Sequence, residues 1–460
     1  MQAGYFKHPP LIAWIYELAI TIGGSGHVWP IYLAGALANV GAAYACFRLA
    51  RSFFAESDAF IGGLAVLLLE TLAHVVAFEP LSHNTLLATV VAFSCWFAYE
   101  ALAKGEWKWW LLLGVSLGLG MLTKYDMGIW AVCLLLLVLF SREGRSQLRR
   151  PKPYLSALTA VMIMSPNLVW LAQHQFAPFR YAGNRMLVME GAIGYLTGPL
   201  VFLTDQIIWV LCPVVMLAPM LALRNRERSV DEKSGFESQF LGWFTLGPLV
   251  IFVIIAIVSA SRLRPLWEYP FLSLVPLWLM LAFRRHAEMR SRTRVLATAA
   301  ILMGIMVVGF VIQPAVCAYA TNTPSKSDLP GREMAVKVKQ LWDARQPGRR
   351  MPYVAGQFFL AQNVSFYLPE RPHVFCTQDP SFEKVLPFDV ACPWTTPDAV
   401  KQQGGIVVWY AERGNSEVPS WIAEVFPHAQ YLTTLELPWQ TGANLDPVPV
   451  GVAYIAPSSN

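Results

Sequence analysis

Along most of this chain apolar residues do not alternate with polar ones but run on uninterrupted. Apolar stretches lie near residues 28 to 50, 58 to 78, 84 to 103, 153 to 172, 199 to 223, 240 to 260, 265 to 283 and 295 to 319. Crossing a hydrocarbon core of roughly 30 Å takes about 20 helical residues, which each of these supplies. Two shorter stretches, 107 to 123 and 127 to 140, meet at the polar Thr123-Lys124-Tyr125-Asp126, and a further apolar helix over 9 to 22 is broken off by Gly23-Gly24-Ser25-Gly26. The pattern predicts an α-helical multi-pass membrane protein with about ten transmembrane helices and an N-terminal interfacial helix. From about residue 321 it changes: Thr321 to Ser327 reads as a linker, and Arg332 to Arg345 has helical spacing. Tyr353 to Gly356, His373 to Cys376, Ile406 to Tyr410 and Val450 to Ile455 read as short strands, with helices at Pro397 to Gln403 and Pro419 to Phe426. The expected organisation is a membrane part over 1–320 and a small C-terminal α/β domain over 321–460.

Composition agrees with the pattern and excludes an ordinary soluble domain: 55% of residues are hydrophobic, only 14% are charged, and 17 are Trp. Cations orient the spans. Arg48 and Arg51, Lys104 and Lys108, the cluster from Arg142 to Lys152, Arg224 to Lys233 and Arg284 to Arg294 all fall on one side. The other side carries only Lys7, Lys124, Arg180, Arg185, Arg262 and Arg264. The basic side is expected to be cytoplasmic, which puts the N-terminus and the C-terminal domain outside. The net charge of +5 is mostly this asymmetry and calls for no nucleic-acid partner. Nothing ahead of the first turn carries it across a membrane, so either the topology is unusual or the chain starts late.

Four of the seven cysteines, Cys46, Cys95, Cys133 and Cys212, fall in apolar spans and read as small buried hydrophobes. Cys376 and Cys392 lie in the C-terminal domain, where a disulfide between them or two free thiols fit equally well. There is no zinc spacing, and no Gly-rich phosphate loop in a strand-helix context.

The chemistry collects in loops of the less basic side. Lys7-His8-Pro9-Pro10 sets a cation and an imidazole at the start of a helix, either an anion site or a plain capped interfacial turn. Glu79-Pro80-Leu81-Ser82-His83-Asn84 offers Glu79 and His83, against a capping role for Ser82 or Asn84. Lys124 and Asp126 break an apolar run and form either a functional pair or a self-neutralised turn. Residues 173 to 198, with His174, Arg180, Tyr181 and Arg185, suit a segment lying on lipid headgroups or a lid over a lipid-linked substrate. Arg262 and Arg264 have the fork geometry that binds phosphate, with Glu268 as an alternative structural partner.

Taken together, GYFKHPPLIAW, EPLSHNTLL followed by WKWWLLLGVSLGLGMLTKY, PNLVWLAQHQFAPFRY and FYLPERPHVF resemble, in order and spacing, the bacterial branch of the C-type membrane glycosyltransferases. That group includes the lipid A aminoarabinose transferase, the rhizobial galacturonosyltransferases and the protein O-mannosyltransferases. The resemblance implies transfer of a glycosyl unit from a polyprenyl-phosphate-linked sugar to a lipid-linked or surface glycan, lipopolysaccharide core or lipid A above all, at the periplasmic face of the bacterial inner membrane. It places Lys7, His8 and Lys124 near the donor phosphate, with Arg262 and Arg264 as a looser match, and His83, Arg180, Tyr181 and Arg185 along the substrate loop. No cofactor is certain, and a divalent metal is compatible with the family.

The chain also departs from the family. Relatives begin with a further membrane helix and an Asp-Glu pair, the Asp being the expected general base, and neither stands before Lys7. Asp126 and Glu79 are therefore the substitute-base candidates, and a start assigned too far downstream is the simpler explanation. A multi-pass transporter or lipid flippase, for which Asp205 inside a span is the best argument, and a catalytically dead truncated relative are the alternatives.

Overall fold

The computed structural model describes all residues except 1–3, 5–6, 78–79, 186, 189–193, 222–234, 284–288, 377–393, 415, 441–444 and 459–460. The long helices are α1 (Leu11–Gly23), α2 (Trp29–Ala50), α3 (Glu56–Ala77), α4 (His83–Lys104), α5 (Trp107–Thr123) and α6 (Met127–Phe140). After a short α7 (Arg142–Leu148) come α8 (Lys152–Gln173), α9 (Ala177–Arg185), α10 (Gly194–Leu221), α11 (Gly235–Val258), α12 (Val275–Phe283) and α13 (Met289–Thr321).

Six described helices are long and apolar enough to cross a membrane by themselves, seven if α6 and α7, bent by 91° to one another, count as one span; the expected ten are not reached. The shortfall has physical causes. α3 is long enough but carries Glu56, Asp58 and Glu70, α5 has only 17 residues, and the stretch 265–283 breaks into tight 3-10 turns at Pro265–Trp267 and Tyr269–Leu274 before α12 begins. Inside the bundle, hydroxyls replace water as partners: Ser94 donates to Ser116 Oγ at 2.9 Å, tying α4 to α5, and Thr89 donates to the Ala38 carbonyl at 2.8 Å, tying α4 to α2.

The C-terminal part is a five-stranded sheet in the order β4-β3-β5-β7-β6, built from β3 (Tyr353–Gly356), β4 (His373–Cys376), β5 (Gly405–Tyr410), β6 (Gln430–Leu437) and β7 (Val448–Ile455). A separate two-residue ladder pairs β1 (Leu187–Val188) with β2 (Ser261–Arg262). β3 runs parallel to β4 and β5, and β7 antiparallel to β5 and β6. Residues of β5 alternate between two cores: Ile406 and Val408 pack with Trp342 of α14 (Gly331–Arg345) and Val364 of α15 (Phe358–Tyr367), while Val407 and Trp409 face Val400, Ile422 and Phe426. A strand buried on both faces needs this unbroken apolar run.

This α/β unit sits on α1 and the loop after it. Arg371 grips Glu17 with two hydrogen bonds of 3.0 and 2.6 Å, Arg332 donates to the Gly26 carbonyl at 2.9 Å, and Phe366 packs into the small core of Ile12, Ala19 and Leu81. Glu17 is held below the usual carboxylate range, chiefly by the Arg371 hydrogen bonds. The face of the bundle that carries the unit is also the face on which the N-terminal turn lies.

Candidate active site

Three chain breaks meet on that face. Ser82 caps α4 by accepting a hydrogen bond from the Thr85 amide at 3.1 Å, which fixes His83 as the first helical residue. Between α5 and α6, Lys124 is fully extended and Tyr125 and Asp126 form the turn. The third break is the N-terminal turn. Gly4 lies so close to the Trp170 ring that a Cβ there would fall 2.3 Å from it, and Trp170 itself stacks on His174 with ring centroids 4.3 Å apart.

The turn delivers His8 onto His83, with centroids 4.0 Å apart, and His83 Nδ1 lies 3.0 Å from the Thr123 carbonyl oxygen. Burial comes first, with His83, Lys124 and Lys7 adding to it, in pushing His8 down to about 2. His8 is thus a neutral imidazole at physiological pH, and the cations of this cluster are Lys7 and Lys124. Lys7 Nζ lies 5.7 Å from the Tyr181 ring centroid on α9. Lys124, only 7% exposed, donates to Asn84 Oδ1 at 3.0 Å, forms an ion pair with Asp126, and lies 5.9 Å from the ring centroid of Trp267. Tyr125 donates to Asn167 Oδ1 at 3.1 Å and its ring meets Phe179 at 5.0 Å, so the α8–α9 corner closes one side.

Of the residues singled out from the sequence, Lys7, His8, His83, Lys124, Asp126 and Tyr181 come together here. Arg262 turns to Asp205 on α10 at 3.5 Å, not to Glu268, which also gives Asp205 a partner. Arg264 and Arg180 are exposed. Glu79, Cys392 and the side chains of Arg185 and Cys376 lie outside the described residues, as does any bond between the two cysteines. Among the described residues no group of three His, Cys, Asp or Glu is arranged to hold a metal ion.

Two acids that sequence reasoning weighted lightly matter more in the structure. Glu268, in the loop between α11 and Tyr269, is fully buried, and neither of its oxygens has a hydrogen-bond partner among the described residues. Burial, and after it the nearby Asp126 charge, push it well above the usual carboxylate range. Glu70 of α3 is equally buried and accepts from the Tyr269 hydroxyl and from Ser273 Oγ, the latter at 3.3 Å. It anchors from inside the turn that presents Trp267 and Glu268. Their signal was an acid within an apolar run, where an ionisable group is costly enough to suggest a purpose.

The comparisons with known proteins fit this arrangement. Residues 7–170, which hold most of the cluster, match the family described as Dolichyl-phosphate-mannose-protein mannosyltransferase. Over its whole length the chain is 22% identical to the Lipopolysaccharide core galacturonosyltransferase RgtA of Rhizobium johnstonii, covering 90% of that protein. The crystal structure of ArnT from Cupriavidus metallidurans in the apo state superposes with a TM-score of 0.60 at 17% identity, over 100% of this chain and 90% of that one. Together these likenesses support a C-type glycosyltransferase related to ArnT. A second relative from the same Rhizobium, the Lipid A galacturonosyltransferase RgtD, is 23% identical over 57% of this chain and 53% of its own. The fold likeness extends beyond the family match into the C-terminal α/β unit, since ArnT covers the chain throughout.

Proposed function

We propose that this glycosyltransferase moves a sugar from a polyprenyl-phosphate carrier to a lipopolysaccharide-type acceptor, core or lipid A, at the periplasmic face of the inner membrane. In this reading residues 1–320 form the catalytic membrane part and 321–460 a periplasmic domain above it. The observation that carries it is Lys124: a nearly buried ammonium held by Asn84 and Asp126 at a break between two apolar helices.

A buried cation at a membrane boundary needs a recurring anion, and the departing prenyl phosphate is one. Lysine has three donors, so two protein partners leave one for a phosphate oxygen. Lys7 supplies a second cation across the neutral His8–His83 stack, which itself can offer a hydrogen bond to the sugar or phosphate. Transfer also requires a group to take the acceptor hydroxyl proton, and Asp126, ion-paired with Lys124, is the described carboxylate placed for it. In the step, the acceptor oxygen forms its bond to the anomeric carbon as the carbon–phosphate oxygen bond breaks. The bonding pair leaves with the prenyl phosphate, and the proton goes to Asp126. The galacturonosyltransferases among the relatives make a uronic acid a reasonable sugar to try first.

The transporter alternative loses its main support, because Asp205 is paired with Arg262 and Glu70 with Tyr269 and Ser273. Mass spectrometry of lipid A and core from a deletion strain, its parent and the complemented deletion strain tests the proposal. One sugar missing from the deletion strain and restored by the gene is the expected result, and identical glycans in the deletion strain and its parent would overturn it.

A further inference from the structure

Glu268 is the acid that the chemistry above leaves unused. It has no exposed surface, and both oxygens lack a hydrogen-bond partner among the described residues. A buried carboxylate in that condition is expensive unless it is neutral. Nor is it a side chain on a loose loop. Trp267 before it faces Lys124, Tyr269 after it is bonded to Glu70, and every residue from Tyr269 to Leu274 is buried.

Two ionisable groups lie near enough to be coupled to it electrostatically: Asp126, in the turn before α6, whose charge acts on Glu268, and Cys133 of α6, which feels the charge of Glu268. Behind it stand Tyr269 and Glu70, which are bonded to each other. Lys124 lies beyond Trp267, and Arg262 of the same loop is committed to Asp205. Lys124 is paired with Asp126, and no described cation is paired with Glu268.

We infer that Glu268 is a positioning residue that acts through Asp126: protonated at rest, it keeps the carboxyl pair at one negative charge, which Lys124 balances. Two close carboxyls retain one proton between them more readily than they ionise together. With Glu268 neutral, Asp126 is the anionic base and Lys124 has charge to spare for a phosphate. Once Glu268 ionises, the second negative charge holds Lys124 and repels the donor phosphate, so transfer stops. No proton of the reaction itself passes through Glu268; the acceptor proton goes to Asp126 as before. The inference rests on the reading of Asp126 as the base.

The test is the pH profile of sugar transfer in proteoliposomes. Wild-type activity falls on the alkaline side by about tenfold per pH unit, as expected for loss of one proton. In Glu268→Gln, which is permanently neutral, that fall moves to higher pH, while Glu268→Asp keeps an alkaline fall like the wild type. An alkaline limb that is the same in Glu268→Gln and wild type overturns the inference, and so does a folded Glu268→Gln that is inactive at every pH. Should Glu268→Gln not fold, infrared difference spectra of the wild type decide. A buried carboxylic acid band that disappears over the range in which activity falls, and persists in Glu70→Gln, supports the role, and its absence overturns it. Failure of the underlying reading shows separately, as an Asp126→Asn variant that retains wild-type activity.

Discussion

His8 lies against His83 with ring centroids 4.0 Å apart, and His83 meets the carbonyl oxygen of Thr123 at 3.0 Å. Through this stack the N-terminal turn, the start of α4 and the end of α5 form one unit, with Lys124 directly after it. The stack has a pH cost with a definite sign. Folding lowers His8 from 6.5 to about 2, so below 6.5 the unfolded chain takes up a proton that the folded one refuses. Stability from this residue is present above 6.5 and is lost as the pH falls toward 2. Thermal unfolding in detergent, followed by tryptophan fluorescence, is expected to show a drop on mild acidification that His8→Phe, which keeps a ring but does not titrate, reduces.

Glu70 reaches the site only through the turn it holds. Glu70→Leu leaves the buried Tyr269 hydroxyl without its acceptor, a cost of about 1–3 kcal/mol, and frees the turn bearing Trp267 and Glu268. Glu70→Gln keeps an acceptor oxygen. The expected result is a lower kcat with a nearly unchanged KM for the donor in Glu70→Leu, and near wild-type values in Glu70→Gln. Equal losses in both would mean that the charge or proton of Glu70 matters rather than its hold on Tyr269.

Arg371 and Glu17 join the α/β unit to α1 by an ion pair that is partly exposed on both sides. Such a pair is worth about 1 kcal/mol at most, so Arg371→Ala should barely move the melting temperature. It should nevertheless raise amide hydrogen exchange in Leu11–Gly23. Because the pair lowers Glu17 below 4.5, its contribution is present above that pH and fades as the pH falls through the folded value. Exchange in α1 is therefore expected to rise in acid in the wild type and much less in Arg371→Ala.

Gly356 ends β3 at φ +114, and a Cβ there would sit 1.9 Å from the Val408 carbonyl oxygen. No side-chain rotamer relieves a clash with backbone, so Gly356→Ala is expected to cost more than about 2 kcal/mol and to unfold the sheet at lower temperature. Gly128→Ala, with open space around it, is the matching control and should change little.

Much of the fold was legible because apolar run length and turn residues are local signals. The strands 353–356 and 373–376 and the helix 397–403 stand where their bounding Pro and Gly put them. α15 and β6 were missed. α15, FFLAQNVSFY, has too few turns to show a helical period, and β6 carries mixed residues on a half-exposed edge strand. Fewer than ten described helices are long and apolar enough to span where acids or prolines interrupt an apolar run, at α3 and at 265–274, since composition does not say whether such a residue is paired inside the protein. At the site, Lys7, His8, His83, Lys124 and Asp126 could be named because each interrupts an apolar pattern. Their contacts could not, since the His8–His83 stack joins residues 75 positions apart in the chain. Sequence proximity offers Glu268 as an alternative partner for Arg262 and Arg264, whereas Arg262 points to Asp205, and Glu268 turns inward.

Lys124 carries the central claim, and the direct measurement is sugar transfer by purified protein in proteoliposomes, supplied with a polyprenyl-phosphate uronic acid or hexose and a lipid A or core acceptor. Wild type should add one sugar to the acceptor, read as a single mass increment, while Lys124→Gln should be slowed by at least about a hundredfold, the usual loss for removing a group that stabilises transition-state charge. Wild-type rates in a folded Lys124→Gln would contradict the account.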